Sequence, residues 1–259
     1  MSTWEGVAEA YRRSFATLCA GAIPTLLAAT ATGGDHLDVG CGSGDLALAA
    51  AREGRRVLAV DPDPGMVAMT RAAVPEAVRV VAGAAPTLPL PDGSFGAVTA
   101  NFVVNHVPDP RATLRDLARV AAPSAPVAMT IWPSVPGPHL AAYAEASRAA
   151  GAVPTPSTRL PDHLDFPRSA EGLAGLAQES GLRVEQAEEI GWTWRISADD
   201  LMAGIAGGVG GAGSTHRAQS AAVRTEIESR VRELWSRFAA VDGGLAFPVT
   251  AVLLVASRP

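Results

Sequence analysis

Between residues 36 and 47 the chain runs from a short apolar segment, His36-Leu37-Asp38-Val39, through Gly40-Cys41-Gly42-Ser43-Gly44 into an alanine- and leucine-rich stretch that opens with Asp45. A strand that ends in closely spaced glycines and opens a helix makes a tight turn. Without Cβ atoms in the way, its backbone N–H groups approach a ligand directly. Few architectures accept such a turn, and most of them are built from βαβ units.

The flanking sequence has that rhythm. Residues 57–60 read as a second strand ended by Asp61-Pro62, 66–73 as a helix and 79–82 as a third strand. Residues 95–101 form a fourth strand after the turn Pro91-Asp92-Gly93, 111–121 a helix and 127–132 a fifth strand. Strand alternating with helix at this spacing predicts a parallel sheet. Upstream, residues 4–30 read as helical, with Val7, Tyr11, Phe15 and Leu18 on one face, and Thr32-Gly33-Gly34 ends the pattern. Downstream, residues 133–167 are proline-rich with one helical run near 140–150, and read as an insertion. Ser169 is an N-cap for a helix ending at Gly181, and Ser197 with Asp200 starts another. Residues 182–190 are a strand, 204–213 a glycine-rich mobile loop, 225–239 a helix and 247–256 a last strand.

Composition removes whole classes of chemistry. No lysine occurs, so Schiff-base catalysis and a P-loop lysine are excluded. The net charge of -5 argues against a nucleic-acid surface. Two cysteines, Cys19 and Cys41, without metal-ligand spacing fit a reducing cytoplasm and no metal. Neither a signal-peptide core nor an apolar run of membrane-spanning length is present, so no membrane partner is expected.

Asp61, at the end of the second strand, is placed to accept the two hydroxyls of a ribose; the alternative is a helix N-cap. Glycine turn and carboxylate together indicate an adenosine-type ligand at a topological switch point. They do not separate a nicotinamide dinucleotide from S-adenosylmethionine, because Gly42-Ser43-Gly44-Asp45-Leu46-Ala47 also satisfies the dinucleotide pattern. An oxidoreductase built on Tyr-x-x-x-Lys is impossible without lysine.

The wider sequence resembles the class I S-adenosylmethionine-dependent methyltransferases. Residues 37–47 look like their motif I and 57–66 like motif II. Residues 83–95 (Gly83-Ala84-Ala85-Pro86-Thr87-Leu88-Pro89 and onward) resemble the segment after the third strand in the small-molecule, ubiquinone/menaquinone C-methyltransferase-like branch. Val103-Val104-Asn105-His106-Val107-Pro108-Asp109-Pro110 resembles the exit of the fourth strand. The resemblance is good over about residues 5–132 and looser beyond. It implies an α/β fold, a Rossmann-like, doubly wound, seven-stranded, mostly parallel sheet with helices on both faces and a small cap insertion. On that reading residues 1–259 form one domain: an N-terminal helical lid (1–34), a cofactor-binding core (35–132), the cap (133–167) and a C-terminal part (168–259).

The resemblance also implies the cofactor, S-adenosyl-L-methionine, with S-adenosyl-L-homocysteine as product, and a small-molecule acceptor, with a homodimer left open. Gly40, Cys41 and Gly42 would approach the methionine moiety, Asp38 would steady the turn and reach the ammonium group through water, and Asp61 would hold the ribose. Pro62, Met66, Ala84, Ala85 and Pro86 would surround the adenine. Asn101 and Phe102 would sit beside the sulfonium, and Tyr11 would close over the methionine end. Two positions depart from the pattern: Ala84 stands where the branch usually carries the aspartate that receives the adenine amino group, and Gly96 replaces a usual aspartate before the fourth strand.

His106, His139 and His163 are the candidate bases, with Asp162 and Asp165 flanking His163; each histidine has a plain structural alternative, as a helix-entry or exposed loop residue. Cys41 reads as a small residue required by space rather than a nucleophile. Trp192 and Trp194 would cap an acceptor or pack in the core, residues 204–213 would hinge a lid, and His216 would enter the site only if that loop folds inward. The function expected is methyl transfer to a small organic acceptor, with oxygen or nitrogen favoured and secondary metabolism as the setting. The alternatives are cofactor binding without transfer, a non-transfer reaction such as cyclisation, and an NAD-dependent oxidoreductase.

Overall fold

The computed structural model describes residues 6–31, 34–155 and 160–259. Trp4 and Glu5 in the expected N-terminal helix, Thr32 and Gly33 at its end, and Pro156 in the expected insertion lie outside the described residues. The chain divides into two compact units, one comprising Ala22–Ser134, Leu160–Ile190 and Thr250–Pro259, the other Met1–Gly21, Val135–Arg159 and Gly191–Val249.

Helices α1 (Ala8–Arg13), α2 (Phe15–Cys19) and α3 (Ile23–Ala29) come first, followed by β1 (Asp35–Val39), α4 (Asp45–Arg52), β2 (Arg56–Asp61), α5 (Pro64–Ala73), β3 (Arg79–Ala82) and β4 (Ala97–Asn101). Then follow α6 (Pro110–Val120), β5 (Pro126–Ile131), α7 (Pro138–Ala149), α8 (Ala170–Glu179) and β6 (Arg183–Ile196). The chain closes with α9 (Ala198–Ala206), α10 (Gly210–Arg217), α11 (Ala221–Trp235) and β7 (Leu245–Ser257).

In the first unit the strands lie in the order β3-β2-β1-β4-β5-β7-β6. Every pairing among the first five is parallel, and β7 is antiparallel to β5. The expected seven-stranded, mostly parallel sheet is therefore present. Strand order reverses between β1 and β4, and ligands of open α/β sheets bind at the carboxyl ends of strands flanking such a switch point. The strands read as nearly unbroken apolar runs because they are buried; Leu37, Val98, Met129 and Leu254 pack with Leu114 and Leu117 of α6 and Leu173 of α8.

Helix starts follow their capping residues. Asp63, Asp109 and Ser169 accept hydrogen bonds from Met66, Ala112 and Gly172 N–H, respectively. Ser169→Ala is expected to cost about 1 kcal/mol of stability in urea denaturation, with no change in ligand affinity.

The second unit corrects two expectations. The described residues of the expected 4–30 helix do not form one helix: the chain breaks at Ser14, whose hydroxyl donates to Ala10 O at 2.6 Å, and in the first unit Pro24 sits in the first turn of α3, where its missing N–H is no loss. Residues 204–213 are not a loop. They supply the end of α9 and the start of α10, separated by Gly208 and Gly210 at positive φ. Three of the other four glycines serve close packing: a Cβ on Gly204 would fall 2.1 Å from Ser14 Oγ, one on Gly207 2.3 Å from Ala10 Cβ, and one on Gly213 2.2 Å from the Gly208 backbone, whereas one on Gly211 would meet nothing. β6 also runs six residues further than the strand expected at 182–190, through Trp192 and Trp194 to Ile196.

Candidate cofactor site

The glycine turn is anchored on β2. Gly40, Gly42 and Gly44 have φ of 71°, 53° and 89°, the left-handed region in which glycine is strongly favoured. Gly40 and Cys41 N–H both donate to Val60 O, at 2.7 and 3.1 Å. Gly42 N–H donates to Asp61 Oδ2 at 3.0 Å. From α5, the Thr70 hydroxyl donates to Gly42 O at 2.8 Å. The other Asp61 oxygen accepts Asp63 N–H at 2.9 Å. A carboxylate oxygen accepts about two hydrogen bonds, so Asp61 keeps capacity on each oxygen for a vicinal diol. Burial pushes its carboxyl above the usual range, and the Asp63 and Gly42 N–H groups oppose that.

Asp38 is buried one strand away. Its Oδ1 accepts the Thr99 hydroxyl at 3.3 Å, and its buried Oδ2 makes no hydrogen bond of ordinary geometry, the Ala47 N–H being the backbone donor near the carboxyl. Burial raises its pKa to about 7; Asp61 and Asp45 add to the rise, while the Thr99 hydroxyl and the nearby Ala47 N–H favour the ionised form. Cys41 is held as the thiol, because burial and then Asp38 push its pKa up, which rules against a nucleophile.

The segment after β3 begins beside Asp61, whose carbonyl accepts Gly83 N–H at 3.1 Å. Arg119 and buried Asp116 on α6 hold the segment: Leu88 N–H donates to Asp116 Oδ2 at 2.8 Å, and Arg119 donates to Leu88 O and Leu90 O. Ala84 is exposed, Ala85 buried and Pro86 half-buried; on the β2 side Met66 is buried and Pro62 exposed.

At the exit of β4, Phe102 has φ of 57°, rare for a bulky residue and a mark of a strained, often functional position. Thr130 of β5 over-determines it. Phe102 N–H donates to Thr130 O (3.1 Å) and Oγ1 (3.0 Å), while the Thr130 hydroxyl donates to Asn101 Oδ1 at 2.6 Å. The Phe102 ring stacks on Trp132 with centroids 3.7 Å apart. Asn105 clamps the Trp132 backbone, accepting its N–H at 2.7 Å and donating to its carbonyl at 3.3 Å. Asn101 and Phe102 thus sit at the switch point with Gly40, Cys41, Gly42, Asp38 and Asp61. The sequence did not reveal Thr70, Thr99, Thr130, Asn105 or Trp132 as site residues; Asn101 meets Thr130, for example, through the β4–β5 register, which no pattern within one segment reports.

The candidate bases are scattered. His106 follows β4 in this unit at a position exposed on the surface, yet the protein packed around its ring, and then the Arg168 charge, lower its pKa to about 4 and hold it neutral; His163 lies in an exposed turn of the same unit. Asp165, expected to orient His163, gives its Oδ1 to Arg168 at 2.7 Å and to Phe166 N–H. His139 and Tyr11 belong to the other unit. There Tyr11 is half-buried on α1. His139 is no exposed loop residue: it is buried on α7 among Phe15, Trp194 and Phe247, and burial lowers its pKa to about 4. In the same unit Trp194 donates to Thr17 Oγ1, and His216 is buried on α10 beside Glu228. Among the described residues no group of three or more His, Cys, Asp or Glu is arranged to hold a metal, and no helix is long and apolar enough to cross a membrane.

Residues 37–129 match the family model described as a methyltransferase domain. Over 156 residues the chain is 32% identical to the ubiquinone biosynthesis O-methyltransferase of Xanthomonas euvesicatoria, covering 58% of this chain and 62% of that protein. Over 114 residues it is 36% identical to the demethylmenaquinone methyltransferase of Listeria welshimeri, covering 40% and 48%. The matches thus span less than two thirds of these relatives. Among solved structures, the [4+2]-cyclase SpnF shares the fold at a TM-score of 0.57 with 18% identity, over 93% of this chain and 80% of that one.

Proposed function

We propose that this chain, whose residues 37–129 carry a methyltransferase domain, transfers the methyl group of S-adenosyl-L-methionine to a small organic acceptor and releases S-adenosyl-L-homocysteine. One observation carries the reading: at the switch point a glycine-rich turn is tied to a carboxylate, Asp61, that retains acceptor capacity for a ribose diol. Asp38 Oδ2, buried and without a hydrogen bond of ordinary geometry, adds an anionic acceptor suited to an ammonium group.

Asp61 would hold the ribose, the turn at Gly40–Gly42 would admit the methionine portion, and Met66, Ala85 and Pro86 would flank the adenine by apolar contact, since Ala84 offers no side-chain acceptor. When bound, the sulfonium supplies an already activated methyl group. The protein's share is alignment, and holding two reactants in attack geometry supplies up to about 7–11 kcal/mol of the barrier. The Phe102–Trp132 stack, locked by Thr130 and Asn105, gives this region a rigid apolar wall that excludes water. His106, at the β4 exit, is the base proposed for a hydroxyl acceptor; an amine acceptor needs none. The reading extends to a cytoplasmic enzyme of secondary metabolism, supported by the arginine-only, alanine-rich composition and the paucity of cysteine. Oxygen and nitrogen acceptors are favoured.

A second reading, the same cofactor site serving a non-transfer reaction, is kept because the fold also hosts a cyclase. Calorimetry with S-adenosylmethionine and S-adenosylhomocysteine is expected to give micromolar affinities. Mass spectrometry after incubation with a panel of phenols and amines is expected to show one added methyl per product. A product of unchanged mass favours the second reading. Binding of NADH in place of both ligands overturns the cofactor assignment.

A further inference from the structure

His36 occupies the third position before the glycine turn's first Gly-adjacent residue, Val39, and shares a strand face with Asp38 two residues on. Its ring lies inside a hydrogen-bonded chain that crosses three elements. Arg55, in the connection between α4 and β2, donates to Leu27 O at 2.7 Å, Thr30 O at 2.9 Å and Thr30 Oγ1 at 2.9 Å. Its Nη1 also lies 3.2 Å from His36 Nδ1. The two Nη1 protons are shared among Thr30 O, Thr30 Oγ1 and Nδ1; since a guanidinium cannot accept, a proton on Nδ1 would oppose it, so Nδ1 is the acceptor side and the imidazole proton sits on Nε2. Nε2 is 2.9 Å from Thr99 Oγ1. With that bond received, the single Thr99 proton is shared between Leu37 O and Asp38 Oδ1, each at 3.3 Å. An ionised carboxylate is the stronger acceptor of the two.

We propose that His36 is a positioning residue for the cofactor: fixed by Arg55 as the Nε2–H tautomer, it donates to Thr99, which holds Asp38 Oδ1 and leaves Oδ2 to receive the ligand's ammonium group. The inference rests on the proposed cofactor. The relay favours the ionised carboxyl in a place where burial, Asp61 and Asp45 oppose it. The other groups around it add no compensating charge: His36 is kept neutral by burial and by Arg55, and Cys41 stays a thiol. Because an ammonium ligand binds the ionised form, affinity is retained above the Asp38 pKa of about 7 and falls as pH drops through it.

The test uses Thr99→Val, which keeps shape and removes the donor, with Thr99→Ser as the conservative rescue. Carbon-13 NMR titration of Asp38 in the unliganded protein is expected to move to higher pH by about one unit in Thr99→Val and to return in Thr99→Ser. One unit corresponds to about a tenfold loss of S-adenosylhomocysteine affinity on the acid side of the transition, vanishing about two units above it. His36→Leu is expected to shift the titration in the same direction, and nitrogen-15 NMR of the wild type is expected to show His36 protonated at Nε2. A Thr99→Val titration unchanged from wild type, an affinity loss equal at every pH, or a proton on Nδ1 overturns the relay. Wild type that binds no S-adenosylhomocysteine overturns the cofactor reading instead, and the unliganded titrations still decide whether the relay controls Asp38.

Discussion

Asp61→Ala is expected to weaken S-adenosylhomocysteine binding at least 100-fold, below the range of routine calorimetry. The carboxylate does two jobs that alanine cannot share. On the proposed reading it would offer a ribose diol one acceptor site on each oxygen, and hydrogen bonds to a charged group contribute about 1.5–3 kcal/mol apiece. Two of them amount to at least about 3 kcal/mol, or roughly two decades in affinity. Its oxygens also hold Gly42 N–H at 3.0 Å and Asp63 N–H at 2.9 Å, so its loss frees the turn and orphans two backbone donors. Stability is expected to move less, because burial of the charge already opposes folding and offsets part of what the two bonds contribute. Asp61→Asn separates the jobs. Its amide has one oxygen, so one of the two N–H groups meets an NH2, and an intermediate loss of about 10-fold to 100-fold is expected on the same scale. A wild-type affinity retained within threefold in Asp61→Ala would show that the ribose is held elsewhere.

Asp61 was readable from sequence because everything needed to place it is local: a strand of apolar residues, an acidic residue at its end, and a proline after it. The same holds for the Gly40–Gly44 turn and for the caps Ser169 and Ser197, whose side chains accept the N–H three residues on. What escaped depends on register between distant strands. His36 meets Thr99 across 63 residues and Asn101 meets Thr130 across 29; no periodicity within one segment reports such a pairing. The glycines of 204–213 are ambiguous in sequence for a related reason. Glycine signals either freedom or the absence of a Cβ, and only the neighbours Ser14 and Ala10, nearly two hundred residues away in sequence, show that here it is the second. His139, a polar residue in a proline-rich stretch, suggests a base or an exposed loop residue, and the structure buries it. The aromatic side chains that bury it come from α2, β6 and β7.

Gly40→Ala is expected to cost about 2–5 kcal/mol of stability, from two separable sources. A non-glycine residue at φ of 71° takes on a left-handed penalty of about 1–2 kcal/mol. The new Cβ would also sit 2.4 Å from Val103 Cγ2, well inside contact distance. Valine is stiff at χ1, so it does not swing aside cheaply, and overpacking of this kind costs about 1–3 kcal/mol. Val103 follows the strained Phe102 and precedes Asn105, the clamp on Trp132, so displacing it also disturbs the wall of the site. Ligand affinity is therefore expected to fall together with stability. The double variant Gly40→Ala with Val103→Ala divides the two sources: it relieves the overlap and leaves the backbone penalty, so part of the single variant's loss returns in urea denaturation. Recovery of the whole loss would mean that the turn tolerates an L-residue, and that Gly40 is there for space alone. No recovery would place the cost entirely in the backbone, and would make the close approach to Val103 incidental to the choice of glycine.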